Sequence, residues 1–253
     1  MKYIGITGHR GSGKTTIAYL LGNILDGLRW NYDKDKLQLL YNRCCKLIKE
    51  NNNAIYDCGL MYVYFDEFGE MPKYLVAQLL GIDMSILDND AMKDTMYVNM
   101  KDFKLYSYNE SFKLITITDI LNNSSKKWKE SYISLRDFAK CFSIDIMQKL
   151  FGSDVWLKTR IANDEKWQDN DSCTWKIFSD VKTKEEIKYI KDNNGVLIRC
   201  QRPTKKKNNN GISNTENCDV DYVIITEGDL KELFTEIYNI AINIYEKSIN
   251  NSI

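Results

Sequence analysis

The chain has a single histidine, His9, in 253 residues. A Ser-His-Asp triad or a multi-histidine metal centre would need histidines that the sequence does not contain. Cysteine offers little more. The seven cysteines are scattered, only Cys44 and Cys45 are adjacent, and the odd count with irregular spacing fits neither a disulfide framework nor zinc ligation. They read as buried, reduced thiols. Net charge is also missing: 35 basic and 35 acidic residues cancel. No global field therefore draws the protein to nucleic acid or to an anionic membrane, and any polyanion must be held locally. No run approaches the roughly 18 apolar residues of a membrane helix. Met1 and Lys2 lead directly into a strand-like run, which predicts no cleavable leader. The expectation is a soluble, cytoplasmic protein that does not bind nucleic acid directly. Proline occurs only twice, while Asn, Lys, Ile and Tyr abound, the bias of an AT-rich genome.

What is present points to a globular α/β chain. At 43% hydrophobic, 253 residues can bury one sizeable core, and the length favours a single domain over 1–253. The run 2–7 is β-branched and aromatic, and Ile17, Ala18, Leu20, Leu21, Ile24 and Leu25 then recur at helical spacing over 15–28. Further helices are predicted at 37–49, 73–80 (closed by Gly81), 134–150, 154–162 and 184–191, with strands at 60–65, 175–179, 195–199 and 222–225. A strand pair is expected around 104–108 and 112–117. The segment 205–217 reads as a basic loop, with Lys205, Lys206 and Lys207 as a solvated run or a lid. Asp229 with Glu232 reads as the N-cap of a final helix. The alternation predicts a mostly parallel sheet with helices on both faces, and a βαβ unit over 175–199.

One segment carries its chemistry openly. Gly8-His9-Arg10-Gly11-Ser12-Gly13-Lys14-Thr15 satisfies G-x-x-x-x-G-K followed by Ser or Thr, between the first strand and the first helix. Such glycines let the backbone curl so that N–H groups point at phosphate oxygens, and the helix N-terminus adds its partial charge. Gly8 to Thr16 are thus the expected nucleotide-binding residues, with Lys14 reaching the β- and γ-phosphates and the Thr15 hydroxyl ligating Mg²⁺. The loop predicts ATP or GTP binding and leaves the reaction open. Asp66-Glu67 ends an apolar run as a motor's metal and water site would, and Asp66 to Gly69 matches the D-x-x-G of switch GTPases. No guanine-reading N-K-x-D accompanies it.

Several later segments, in order, resemble the bacteriophage-type deoxynucleoside monophosphate kinases of the P-loop kinase superfamily. They are Phe68 to Lys73 running on to Leu79-Leu80-Gly81, Ile117 to Asn123, Ser134-Leu135-Arg136-Asp137-Phe138, Val155-Trp156-Leu157-Lys158, Phe178-Ser179-Asp180-Val181-Lys182 with Glu186, Arg199 to Pro203, and Ser213 to Glu216. Lys182 stands where the family usually has arginine and Ser213 where it usually has histidine. A lysine keeps the charge and loses the bidentate fork.

The resemblance implies a P-loop kinase-like three-layer sandwich with an inserted helical substrate or lid region: core at approximately 1–28, 60–81 and 132–253, insertions at approximately 29–59 and 82–131. It implies phosphoryl transfer from ATP, with Mg²⁺, to a deoxynucleoside monophosphate, in a dimer, in the cytoplasm of a phage-infected bacterium. Lys14, Arg136, Asp180 and Lys182 are the catalytic candidates. Asp180 would orient Mg²⁺ through water or receive the acceptor. Lys73, Arg136, Trp156, Lys158 and Glu186 are the candidates for the acceptor, and Arg199 and Arg202 for the donor's base or triphosphate. Each has a plainer reading. Arg136, Lys73 and Lys158 also suit a charged surface, Arg136 by pairing with Asp137 or Glu130, and a lone aromatic such as Trp156 packs inward more often than it stacks on a base. The alternative functions are another small-molecule P-loop kinase, of dephospho-coenzyme A or nucleoside type, and an ATP-hydrolysing motor or switch using Asp66 and Glu67.

Overall fold

The computed structural model describes residues 1–50, 60, 62–99, 106–108, 114–116, 132–166, 175–202, 218–226 and 230–250. The expectations for Ile117 to Asn123, for 205–217 with its lysine run, for Ser213 to Glu216 and for Asp229 as an N-cap lie outside those residues. In chain order the elements are β1 (Lys2–Gly8), α1 (Lys14–Arg29), α2 (Lys34–Glu50), β2 (Val63–Asp66), α3 (Glu70–Leu80), α4 (Met84–Asp88), α5 (Asp90–Thr95), β3 (Tyr97–Asn99), β4 (Tyr106–Tyr108), β5 (Leu114–Thr116), β6 (Tyr132–Ser134), α6 (Leu135–Cys141), α7 (Val155–Lys166), β7 (Trp175–Val181), α8 (Lys184–Asp192), β8 (Val196–Gln201), β9 (Tyr222–Ile225) and α9 (Leu230–Asn250). They fall into two compact units: Met1–Phe68 with Lys166–Ile253, and Gly69–Glu165.

The first unit is built on a five-stranded, all-parallel sheet in the order β2-β7-β1-β8-β9. Strands covered on both faces are apolar nearly throughout rather than alternating, as all seven buried residues of β7 show. Successive side chains of β1 serve opposite layers. Ile4 and Ile6 join the core made with Ile17, Leu21 and Ile24 of α1, Leu37 and Tyr41 of α2, and Phe234, Ile237 and Ala241 of α9. Tyr3 faces the other way, 5.5 Å from Tyr189 of α8 and 6.0 Å from Phe178 of β7 between ring centres. The predicted βαβ unit over 175–199 forms, but its strands are not neighbours: β1 lies between β7 and β8, so α8 crosses over the strand that carries the glycine-rich loop.

The second unit has its own core. Val76 and Ala77 of α3, Leu87 of α4, Ile133 of β6, Leu135 and Phe138 of α6, and Trp156 of α7 are all buried together. The expected strand pair is present as antiparallel β4 and β5, with Ser107 opposite Ile115. Helices α4 and α5, capped by Asp83 and Asn89, and the short antiparallel pair of β3 with β6 had no clear signal in the sequence. The helix expected over 134–150 differs in kind. After α6, with Ser134 as N-cap, it widens into a π-helical segment, Phe142–Gln148, before a last turn at Lys149–Phe151. Within that segment the Ser143 carbonyl accepts the Trp156 indole N–H at 3.2 Å, a long-range contact that helical periodicity cannot encode. No helix among the described residues is long and apolar enough to cross a membrane. The described cysteines are free thiols, with Cys44, Cys141 and Cys200 buried.

Candidate functional site

Strand β1 is the middle of the sheet, and its carboxyl end opens into the glycine-rich loop. Gly8 has φ +142, and a Cβ there would sit 2.3 Å from the carbonyl oxygen of Cys200 on β8. Only glycine allows the two strands to close up at this point. Gly11 and Gly13 are left-handed, at φ +74 and +89, and turn the chain back into α1. The Ser12 N–H donates to the His9 carbonyl at 3.1 Å, pinning the turn. No side chain caps α1 at Gly13, so its first-turn N–H groups face the loop. The Ser12 hydroxyl is buried and has no hydrogen-bond partner among the described residues. Orphaned amides, left-handed glycines and an unpartnered buried hydroxyl together fit the oxygens of a phosphate chain.

Lys14 closes the cradle by donating to the Gly8 and His9 carbonyls, both at 2.8 Å. Burial holds its pKa below that of an ordinary lysine, and repulsion from Lys182 adds to the effect, while Asp180 and Glu67 pull the other way. An anion at this point would restore the favoured charge. Thr15 and Arg10 are exposed, and His9 and Thr16 half-buried. From the far flank, Thr226 at the end of β9 donates its hydroxyl to the Ser12 carbonyl at 3.0 Å, and Arg202 reaches the Gly11 carbonyl at 3.4 Å. Cys200 is buried beside Lys14, and desolvation pushes its thiol up to about 12.

Asp180 sits on β7, the strand directly beside β1. Its Oδ1 accepts the Phe68 N–H at 2.7 Å and its Oδ2 takes the Lys182 ammonium at 3.3 Å. That carboxylate raises the pKa of Lys182, whose side chain is 60% exposed. Of the four catalytic candidates, Arg136 is in the other unit, while Lys14, Asp180 and Lys182 are brought together. Glu67 joins them. It directly follows β2, its Oε1 takes the Ser179 hydroxyl at 3.3 Å, and its charge acts on both lysines. Asp66, its neighbour, is otherwise engaged: it forms a fully buried pair with Lys176 at 2.8 Å.

Two candidates of this unit have structural partners. The Glu186 carboxylate accepts the N–H groups of Lys182 and Thr183, at 2.6 and 2.9 Å, in a capping box that starts α8. Burial raises its pKa. Arg199 donates to the Cys218 carbonyl.

The remaining candidates lie in the second unit, each with its own partner there. Arg136 of α6 forks onto Asp94 and also meets Asp90, its Nη2 lying 3.0 Å from Asp94 Oδ2 and 3.1 Å from Asp90 Oδ1. Its partners are thus on α5 rather than the adjacent Asp137 that the sequence suggested, and Glu130, the other acid expected, lies outside the described residues. Lys73 pairs with Asp88 at 2.8 Å and Lys158 with Asp154, the residue just before α7, at 2.9 Å. Trp156 is buried, its ring part of the core. Sequence reasoning passed over Thr226, and over Arg160, a cation only 9% exposed that pairs with Glu70 at 3.0 Å. Thr226 had no local signal. Arg160 was legible only as a charge one turn beyond the core residue Trp156.

No known family model matches this chain, and neither does any curated protein sequence.

Proposed function

We propose that the protein is a P-loop kinase that transfers the γ-phosphoryl group of ATP to a deoxynucleoside monophosphate, on a three-layer sandwich in which Gly69–Glu165 is the inserted substrate region. The observation that carries the reading is the meeting of three features at the carboxyl ends of β1 and β7: the glycine cradle, Lys14, and the Asp180–Lys182 pair. Transfer between phosphates requires positioned cations and an in-line geometry, and no nucleophile from the protein. Lys14 and the amides of the loop hold the donor phosphates. Mg²⁺ would be held by Thr15 and, through water, by Asp180, and would neutralise charge on the β- and γ-oxygens. Lys182 is exposed enough to leave Asp180 for the transferred group. The acceptor class rests on the resemblance, as do a cytoplasmic setting and a dimer. Lys73, Arg136 and Lys158 can hold an acceptor phosphate only by giving up the carboxylates they now meet.

The buried, ion-paired state of Asp66 argues against using it as a motor's metal ligand. A coupled assay for ADP, with and without each deoxynucleoside monophosphate, tests the reading. Stimulation by at least one is expected, and Lys14→Ala should lower turnover on the order of 10²- to 10³-fold. Steady hydrolysis that none of them stimulates would refute it.

A further inference from the structure

We propose that Glu67 is a specificity residue of the acceptor site, taking a hydrogen bond from the free sugar hydroxyl of the nucleotide that is phosphorylated. The inference rests on the kinase reading above and deepens it.

Glu67 is one residue beyond the paired part of β2, whose last pair is Asp66 with Phe178. That places it beside Ser179, whose hydroxyl it accepts, and next to Asp180. It is held there by more than that bond. The Asp66 Oδ1 accepts the Glu67 N–H at 2.7 Å while Oδ2 is fixed by buried Lys176. A buried ion pair thus sets the backbone from which Glu67 projects.

Its side of the cradle follows from the strand order. Arg202 and Thr226 contact the loop from β8 and β9, one flank of β1. Cys200 on β8 also acts on Lys14, the residue that reaches the β- and γ-phosphates, but burial keeps it a neutral thiol, and the groups that carry charge there, Asp180, Lys182 and Glu67, lie at or just past the ends of β7 and β2, on the other flank. The γ end of the donor, and the acceptor in line with it, belong on that second flank.

With no cation between them, a carboxylate here repels the acceptor's phosphate. It can face a neutral donor. At the level of the phosphates, the part of a nucleotide next to the reacting group is the sugar, and a 2′-deoxy sugar with a 5′-phosphate has one free hydroxyl, at C3′. A hydroxyl donating to a carboxylate makes a charge-assisted bond, stronger than a neutral one.

The test compares kcat/KM for the best accepted deoxynucleoside monophosphate and its 2′,3′-dideoxy counterpart. The wild type should favour the hydroxyl-bearing substrate by roughly 10- to 100-fold, the range for a hydrogen bond to a charged group. In Glu67→Ala the ratio should fall to near one, with Glu67→Gln between, since an amide oxygen still accepts. A ratio unchanged in Glu67→Ala, in protein that still binds a non-hydrolysable ATP analogue, overturns the role of Glu67 and leaves the kinase reading standing. Absence of turnover with every deoxynucleoside monophosphate overturns both.

Discussion

In the first unit Lys182, although paired with Asp180, still stands close enough to Lys14 to lower its pKa, whereas in the second unit Lys73, Arg136, Lys158 and Arg160 each meet a carboxylate of their own away from any such cradle. Like charges held together cost free energy until an anion arrives, so their convergence on a cradle of backbone amides marks a site built for a ligand. Locally neutralised cations carry no such mark, and they cross-link helices. The same residue types therefore mean different things in the two regions, and the difference is open to experiment.

The largest effect should come from the second unit's core. Trp156→Ala removes a ring that is 7% exposed and the donor to Ser143, and should cost about 3–5 kcal/mol of stability by chemical denaturation. Trp156→Phe should recover most of it. If Trp156→Ala instead left stability intact while weakening acceptor binding, the ring would be a stacking platform and the contrast between the regions would break.

Arg136→Ala is the next in size. The guanidinium is 28% exposed and bridges α6 to α5 through Asp90 and Asp94, so its loss should cost about 1 kcal/mol of stability. Turnover at saturating acceptor should then stay within a few-fold of wild type. A fall of 10²-fold or more with unchanged stability would show that Arg136 leaves its aspartates for phosphate.

How much of this was legible in the sequence follows from how local each signal is. The loop from Gly8 to Thr15 needs only the strand before it and the helix after it, and all three could be read directly. The parallel sheet was legible as an alternation of elements, but its order was not. That β1 lies between β7 and β8 depends on how apolar faces match in three dimensions, and that placement decides that Asp180 rather than Asp66 neighbours the cradle. Glu186 shows the same limit from the other side. The family resemblance suggested an acceptor ligand, while Thr183, three residues before it, was an equally visible capping signal. Arg136 read as a clamp or as a partner of adjacent acids because its real partners, Asp90 and Asp94, lie more than forty residues away.

The smallest expected effect, that of Lys158→Ala, gives the sharpest form of the comparison. Lys158 and Lys182 look alike: one side chain is 69% exposed and 2.9 Å from Asp154, the other 60% exposed and 3.3 Å from Asp180. What differs is the carboxylate. Asp154 is 35% exposed and sits four residues back, just before the helix that carries Lys158, so the pair is worth a few tenths of a kcal/mol at most. Asp180 is 10% exposed and stands beside Lys14, where a second cation is of use to a phosphate. Lys158→Ala should therefore shift stability by less than about 0.5 kcal/mol and turnover by less than about two-fold. Lys182→Ala should change stability about as little and lower kcat on the order of 10²-fold. Equal losses of turnover in the two variants would mean that the second unit's lysine also acts on phosphate, and that local neutralisation is no guide to function in this chain.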